Sequence, residues 1–294
     1  MNCLKNKIDF VALLAVNHAN PNGDPLNGNR PRIDYDGFGE MSAECIKRKI
    51  RNRMQDLKQE QNLDYEIFVQ SEDRCTDKCK SLKERAEKEL GKADKKTDRT
   101  EYALKACAKW LDVRAFGQVF AFSNKKGGDD EGGVSVGVRG PVSIHQAVSI
   151  SPVQVCSMQI TKSVNGNPDE KRASDTMGMK HFVRFGLYLL KGSINVQLAD
   201  KTGFTYEDAQ VVKECLRTLF ENDASSARPE GSMEVVKLYW FEHDSKSGQY
   251  STAKVHRSVK VSQKNTVDIP TSVDDYEITL EELPGLTPEI IDGL

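Results

Sequence analysis

From Ile8 to Val16 the chain reads IDFVALLAV, an apolar and partly β-branched run that predicts a central strand. The pattern then breaks. Asn17 to Gly39 is dense in Gly, Pro and Asn, a composition that excludes regular structure and leaves many backbone N–H groups free. A loop of that length predicts function. Ser42 next caps a helix predicted over about Ala43 to Glu60, in which Ile46, Ile50, Met54 and Leu57 recur on one face. Glu72 to Glu101 holds ten basic and nine acidic side chains and predicts a charged helical insertion projecting from the core. DVRAFGQVFAF (Asp112 to Phe122) returns to aromatic and β-branched residues, and the Gly-rich stretch from Asn124 to Gly133 predicts disorder. Val138 to Thr161 is almost continuously strand-like, and Asn165-Gly166-Asn167-Pro168 predicts a hairpin tip. Alternation between His181 and Ala199 predicts one long strand bent at Gly192. A capping box at Thr205 opens a second helix with Ala209, Val212, Leu216 and Leu219 on its stripe, and Met233 to Phe241 is a further buried strand.

The long elements thus run β-α-β-β-α-β. That is the order of a ferredoxin-like or RNA-recognition fold, of α+β class, carrying large insertions. A chain of 294 residues with 38% hydrophobic and 29% charged side chains can bury a sizeable core. It holds no run near the roughly 20 apolar residues that cross a bilayer. With no signal-like leader before the first strand, a cytoplasmic protein is expected. Seven scattered cysteines predict reduced thiols rather than a disulfide framework.

Charge changes the picture more than composition does. The net charge is −2, but residues 265–294 carry eight acids and no Lys or Arg, which leaves +6 on residues 1–264. A basic body makes a polyanionic partner plausible. Within the acidic tail, Tyr276 to Leu280 alternates like an edge strand, and Pro284 and Pro288 break the remainder. Part of the tail is therefore expected to pack, and part to stay extended and screen basic surface.

Signatures of catalysis are missing: no phosphate loop, no H-E-x-x-H, no G-x-S-x-G. The five histidines, at 18, 145, 181, 243 and 256, lie one per segment, and Cys75 and Cys79 lack further ligands nearby, so neither metal nor cofactor is expected. Asp24, Asp34 and Asp36 read as turn-forming residues, with metal-dependent RNA cleavage as the alternative. The basic helix carries the clearest signal. In Ile46-Lys47-Arg48-Lys49-Ile50-Arg51-Asn52-Arg53 five of eight residues are cationic, no acid intervenes, and Ile46 and Ile50 alone are assigned to the core stripe. Lys47, Arg48, Lys49, Arg51 and Arg53 are therefore expected to bind a phosphate backbone, helped by the amides of the preceding loop and of the helix start.

These segments, in this order, resemble a known family. They are the loop Asn20-Pro21-Asn22-Gly23-Asp24-Pro25, the helix CIKRKIRNR, DVRAFGQVFAF, VRGPVSIHQAVSISPV, the run Asp175 to His181, FGLYLLKGSINVQLA, the Thr-Gly-Phe helix start and FENDASSARPEGSM. Together they resemble the backbone subunit of the type I-C CRISPR surveillance complex (Cascade), in the repeat-associated mysterious protein (RAMP) superfamily. The resemblance implies a modified RNA-recognition palm (residues 1–67, 111–154 and 181–264), a helical fingers insertion (68–110), a β-hairpin thumb (155–180) and an acidic tail (265–294). It also implies a non-catalytic role. Copies would polymerise head to tail along a CRISPR RNA, beside capping and large subunits, and present the guide for pairing with target DNA in antiviral defence. A guide-holding protein should be blind to sequence, because pairing supplies specificity.

Carried over by position, the RNA grip would use Asn22, Arg30, Lys47, Arg48, Lys49, Arg51 and Arg53. Ser143, His145 and Gln146 would join from the strands, Lys180 and His181 would lie near phosphate, and Met177 would wedge against a base. The alternative function is a RAMP-type endoribonuclease using the loop aspartates.

Overall fold

The structure, a computed structural model, describes residues 3–94, 96–121, 135–161 and 177–294. The stretch from Asn124 to Gly133 and the tip at Asn165 to Pro168 lie outside the described residues.

The first apolar run forms β1 (Ile8–Ala19). Within the loop after it, β2 (Gly23–Asp24) and β3 (Arg30–Pro31) make a small hairpin, and β4 (Phe38–Met41) leads into α1 (Ala43–Gln61). The Ser42 hydroxyl accepts from the Cys45 N–H to start α1, and Asn62 ends it in the left-handed conformation. The charged insertion is helical as its composition suggests, with α2 (Leu82–Leu90) and α3 (Arg99–Lys109).

Asp112 onward departs from expectation. The segment opens as a short helix, α4 (Leu111–Phe116), and among its described residues only Gln118–Ala121 is strand, β5. The fully buried Asp112 carboxylate accepts from the Phe68 and Val69 N–H groups at 2.7 and 3.1 Å, a tertiary anchor that overrides the β-branched composition.

Then come β6 (Ser135–Val138), β7 (Val142–Ile144), β8 (Ala147–Pro152), β9 (Val155–Thr161) and the 18-residue β10 (Met177–Ile194). Gly192 lies inside β10 because the Phe10 ring occupies the space a side chain would fill; a Cβ there would lie 2.2 Å from Phe10 Cζ. The expected continuation of the strand to Ala199 is instead α5 (Val196–Thr202), started by Asn195, whose side chain accepts from the Leu198 N–H at 2.8 Å. The Thr205–Asp208 capping box opens α6 (Tyr206–Arg217). The chain ends through β11 (Met233–Glu242), α7 (Thr252–Ser258), β12 (Val259–Gln263), β13 (Tyr276–Leu280) and β14 (Glu289–Asp292).

The result is a mixed α/β protein built on one large antiparallel sheet. Its order is β14-β11-β1-β10-β8-β4, with β7 and β9 also paired to β10. Ile8 faces Ile194 across one side of β1, and Phe10 faces Trp240 across the other. Because side chains alternate, β1 feeds two cores. Phe10, Ala12, Leu14 and Val16 pack under Ile46, Ile50 and Met54 of α1 and Val212 and Leu216 of α6. Val11, Leu13 and Ala15 pack with Leu187, Tyr239 and Phe241 beneath Val255, Val259, Tyr276, Leu283 and Leu286. The insertion owns a third core, in which Phe68 and Trp110 rings sit 4.7 Å apart beside Phe120 and Val136.

Part of the acidic tail packs, through the buried Tyr276, Leu283 and Leu286, while the residues around them are largely exposed. Its Glu281, Glu289 and Asp292 meet Lys260, Lys213 and Lys237 at 2.8, 2.8 and 2.7 Å. No helix among the described residues is long and apolar enough to cross a membrane.

Candidate nucleic-acid interface

The loop after β1 is rigid by construction. Asn20 donates from Nδ2 to the Asn29 carbonyl at 2.6 Å, and its N–H bonds the Ala227 carbonyl at 2.9 Å. The Asn22 Oδ1 accepts from the Ser42 N–H at 2.8 Å, so this side chain pins the loop to the start of α1. The Cys45 thiol reaches the Pro21 carbonyl at 3.6 Å. Asp24 accepts from the Leu26 N–H and pairs with Arg32 at 3.5 Å, and Asp34 Oδ1 accepts from the Asp36 and Phe38 N–H groups at 2.9 and 2.8 Å. Both act as turn formers. Among the described residues no cluster of three or more metal-ligating side chains forms.

The hairpin of β2 and β3 leans on the base of β9 and β10. Arg30 Nη1 lies 3.0 Å from Ser157 Oγ and 3.4 Å from His181 Nδ1, and Ser157 Oγ lies 2.9 Å from the same His181 nitrogen. The structure therefore brings Arg30 and His181 together, and adds Ser157, which the sequence did not single out. Lys180 projects to the opposite side of β10, next to His181 in sequence. Met177 is 54% exposed and Met179 55%, two apolar side chains left in water on one face of this ladder.

The structure withdraws two of the five cations of the basic helix from the surface. Lys49 and Arg53 are 4% and 2% exposed and belong to the interior. Lys49 pairs with Asp223, and Arg53 bonds Thr218, Asp56, Glu60 and Glu221. Burial is the largest influence on the Lys49 ammonium and lowers its pKa, against the opposing pull of Asp223. A phosphate would have to displace these carboxylates, so the structure removes Lys49 and Arg53 from the surface grip. The core stripe is wider than Ile46 and Ile50 because acids distant in sequence neutralise the two cations inside it.

Arg51 is likewise engaged, with Asp112 at 2.8 Å, and Arg48 donates to the Val69 carbonyl at 2.9 Å. Burial lowers the Arg48 pKa, and neighbouring Arg51 adds to the effect. Lys47 is half-buried with its ammonium 5.7 Å from the Phe116 ring centroid.

Ser143, His145 and Gln146 are exposed, but they are not near Arg30. Ser143 pairs with Ser193 and the His145 N–H bonds the Lys191 carbonyl, whereas Arg30 meets His181. Ten to twelve residues of β10 separate the two places, roughly 30–40 Å of extended chain. Gln146 donates to Glu40 at 3.0 Å, and the His145 ring stands edge-on to the buried His256, centroids 5.5 Å apart.

Two further features escaped the sequence. Asp112 and Asp223 carry the charge balance of α1 across 61 and 174 residues of chain, and no local pattern announces such pairs. His18, at the end of β1, adopts φ +53° with its ring exposed and 5.6 Å from Phe182.

Comparison with known proteins adds the family. A Haloferax volcanii protein named CRISPR-associated protein Cas7 is 21% identical over 303 aligned residues, covering 98% of this chain and 85% of that protein. One chain of a solved complex described as CRISPR RNA-guided surveillance complex, pre-nicking, aligns at 16% identity and TM-score 0.49, over 85% of this chain and 79% of its own. A second, described as CRISPR RNA-guided surveillance complex, aligns at 16% identity and TM-score 0.44, over 86% and 74%. Residues 6–281 match the sequence profile of CRISPR-associated protein Cas7, a span that takes in the loop, α1, the insertion, β10 and the main sheet, and so the chain belongs to the Cas7 family.

Proposed function

We propose that the protein is a non-catalytic structural subunit that polymerises along CRISPR RNA, forms the backbone of a type I-C surveillance complex and presents the guide for pairing with target DNA. The observation that carries this reading is the Cas7 match over residues 6–281. The strand order β11-β1-β10-β8, with α1 and α6 on one face, supports a modified RNA-recognition palm. In that palm α2 and α3 would be the fingers, and the β9–β10 ladder with its exposed Met177 would be the thumb.

The RNA grip we propose centres on Arg30, Lys180 and His181, with Asn22 shaping the loop and Lys47 at its edge. Arg48 and Arg51 would act from behind this surface, and Ser143, His145 and Gln146 would make a separate contact farther along β10. In this reading the grip is directed at the sugar-phosphate backbone, which suits a protein that must hold any guide.

The test is to purify the protein with CRISPR RNAs of two lengths and measure particle mass, then repeat with Arg30→Glu and Lys180→Glu. Mass should step up with RNA length, and the variants should weaken binding to all sequences alike and flatten its salt dependence. A protein that stays monomeric on RNA of either length, or cleaves complementary RNA with magnesium, refutes the scaffold reading.

A further inference from the structure

His18 is one of five non-glycine residues in the left-handed region among the described residues, the others being three asparagines and Lys78. The His18 φ of +53° lies in the left-handed region, which a ring-bearing side chain adopts at a penalty. The turn-over it provides has a purpose, since Val16 and Ala19 both enter the first core although three residues apart on a strand. Glycine or asparagine would provide that turn more cheaply. The ring is what needs a reason.

It is held in one orientation. His18 Nδ1 lies 2.6 Å from Asn17 Oδ1, and the ring is tilted 32° over Phe182 at 5.6 Å between centroids. Phe182 is half-buried on β10 and serves as the floor, while the imidazole is exposed. Lys180 lies two residues back on the same side of β10, about 6–7 Å away. An open, oriented aromatic pair beside a cation is the arrangement that binds an unpaired base on its π-face and the adjoining phosphate by charge.

We propose that His18 and Phe182 form a stacking platform for one unpaired RNA base, with Lys180 on the neighbouring phosphate. This rests on the RNA-binding reading above and adds to it a contact to a base. Because every base has a π-face, such a platform holds RNA without choosing sequence.

The test uses the full chain and His18→Asn, which tolerates the left-handed backbone, and Phe182→Leu, which keeps the apolar floor. Probes are an oligouridine RNA, a ribose-phosphate strand of equal length without bases, the deoxy oligomer, and RNA carrying 2-aminopurine. Both variants should bind the base-bearing RNA about 5- to 100-fold more weakly, bind the baseless strand as wild type does, and lose 2-aminopurine quenching. Equal loss on the baseless strand, or quenching that survives in both variants, overturns the platform. A changed oligomer size at unchanged RNA affinity assigns the ring to a neighbouring copy and also overturns it, and a response of the deoxy strand alone assigns the site to DNA instead. If wild type binds neither RNA nor the baseless strand, the RNA reading itself falls.

Discussion

Replacing Arg53 by methionine should lower thermal stability and leave nucleic-acid binding by the folded protein unchanged. The guanidinium bonds Thr218 Oγ1 at 3.0 Å and pairs with Asp56, Glu60 and Glu221 at 3.2, 3.4 and 2.7 Å. Asp56 retains Arg74 at 2.6 Å, whereas Glu60 and Glu221 lose the cation they share. Removing one partner of a buried ionic cluster costs about 3–5 kcal/mol. Glu60 and Glu221 are 49% and 30% exposed, so water screens part of the loss and the expected cost is about 2–3 kcal/mol. Methionine keeps most of the packing of the stem. With an unfolding entropy near 2.1 cal/mol/K per residue, a 294-residue chain loses about one degree per 0.6 kcal/mol, so the midpoint should fall by about 3–5 °C. Calorimetry at pH 7.5 measures it. An unchanged midpoint with a uniform loss of RNA affinity would refute the reasoning and return Arg53 to the surface grip.

Gly192→Ala should cost about 1–3 kcal/mol by urea unfolding, since the new Cβ would lie 2.2 Å from Phe10 Cζ and 2.6 Å from the Ser143 carbonyl oxygen, and Phe10→Leu should relieve part of it. A neutral Gly192→Ala contradicts the packing of β1 on β10. Burial lowers the pKa of His256, whose Nε2–H donates to the Gly192 carbonyl at 2.9 Å. The unfolded chain therefore takes the proton first, stability should decline as pH falls through the ordinary histidine range near 6.5, and His256→Gln should flatten that slope; an unaltered slope rejects the assignment. Burial pushes the Cys107 thiol up to about 11 and raises that of the fully buried Cys215 as well, while Cys3 is exposed. At pH 7.5 Cys3 should react with a thiol reagent at once and these two only after unfolding, so native reactivity of Cys107 or Cys215 at the Cys3 rate would contradict their burial.

What the sequence made legible was local. The periodicity of Ile46, Ile50, Met54 and Leu57 and the Ser42 cap fix α1 within a residue or two of its ends, because short-range spacing and capping determine a helix. The Thr205 box likewise marks the start of α6, but the stripe through Leu219 predicts an end near Asn222, whereas the helix stops at Arg217. Misreadings occurred where a distant partner decides the outcome. Asp112 turns a strand-like segment into α4 through Phe68 and Val69, 44 and 43 residues away. Lys49 and Arg53 look like surface cations until Asp223 and Glu221 arrive from the loop after α6. For the site, the family resemblance pointed to Arg30 and His181, but their common partner Ser157 is 127 residues from Arg30 and carries no signal of its own.

Deleting residues 266–294 tests what the tail is for. Were it a screen over basic surface, its removal would strengthen nonspecific nucleic-acid binding at low salt and leave the fold intact. The structure assigns it another role. Tyr276, Leu283 and Leu286 are buried against Val11, Leu13, Phe185 and Phe241, and β14 pairs along β11 from Lys237 to Trp240. Burying one large apolar side chain contributes about 1.5–3 kcal/mol. Loss of these three, with the apolar sheet face they cover and the ladder of β14, therefore reaches the roughly 5–15 kcal/mol that holds most domains together. The truncated chain should aggregate or bind a hydrophobic dye strongly, and it should do so at high salt as well as low, because the exposed surface is apolar rather than charged. A soluble, cooperatively melting truncation that binds RNA more tightly at low salt alone would restore the screening role. The same packing closes the sheet face that RNA-recognition palms open to bases. Under the function proposed here, the guide must therefore pass the end of the sheet, where Arg30 and His181 stand on one side of β10 and His18, Phe182 and Lys180 on the other.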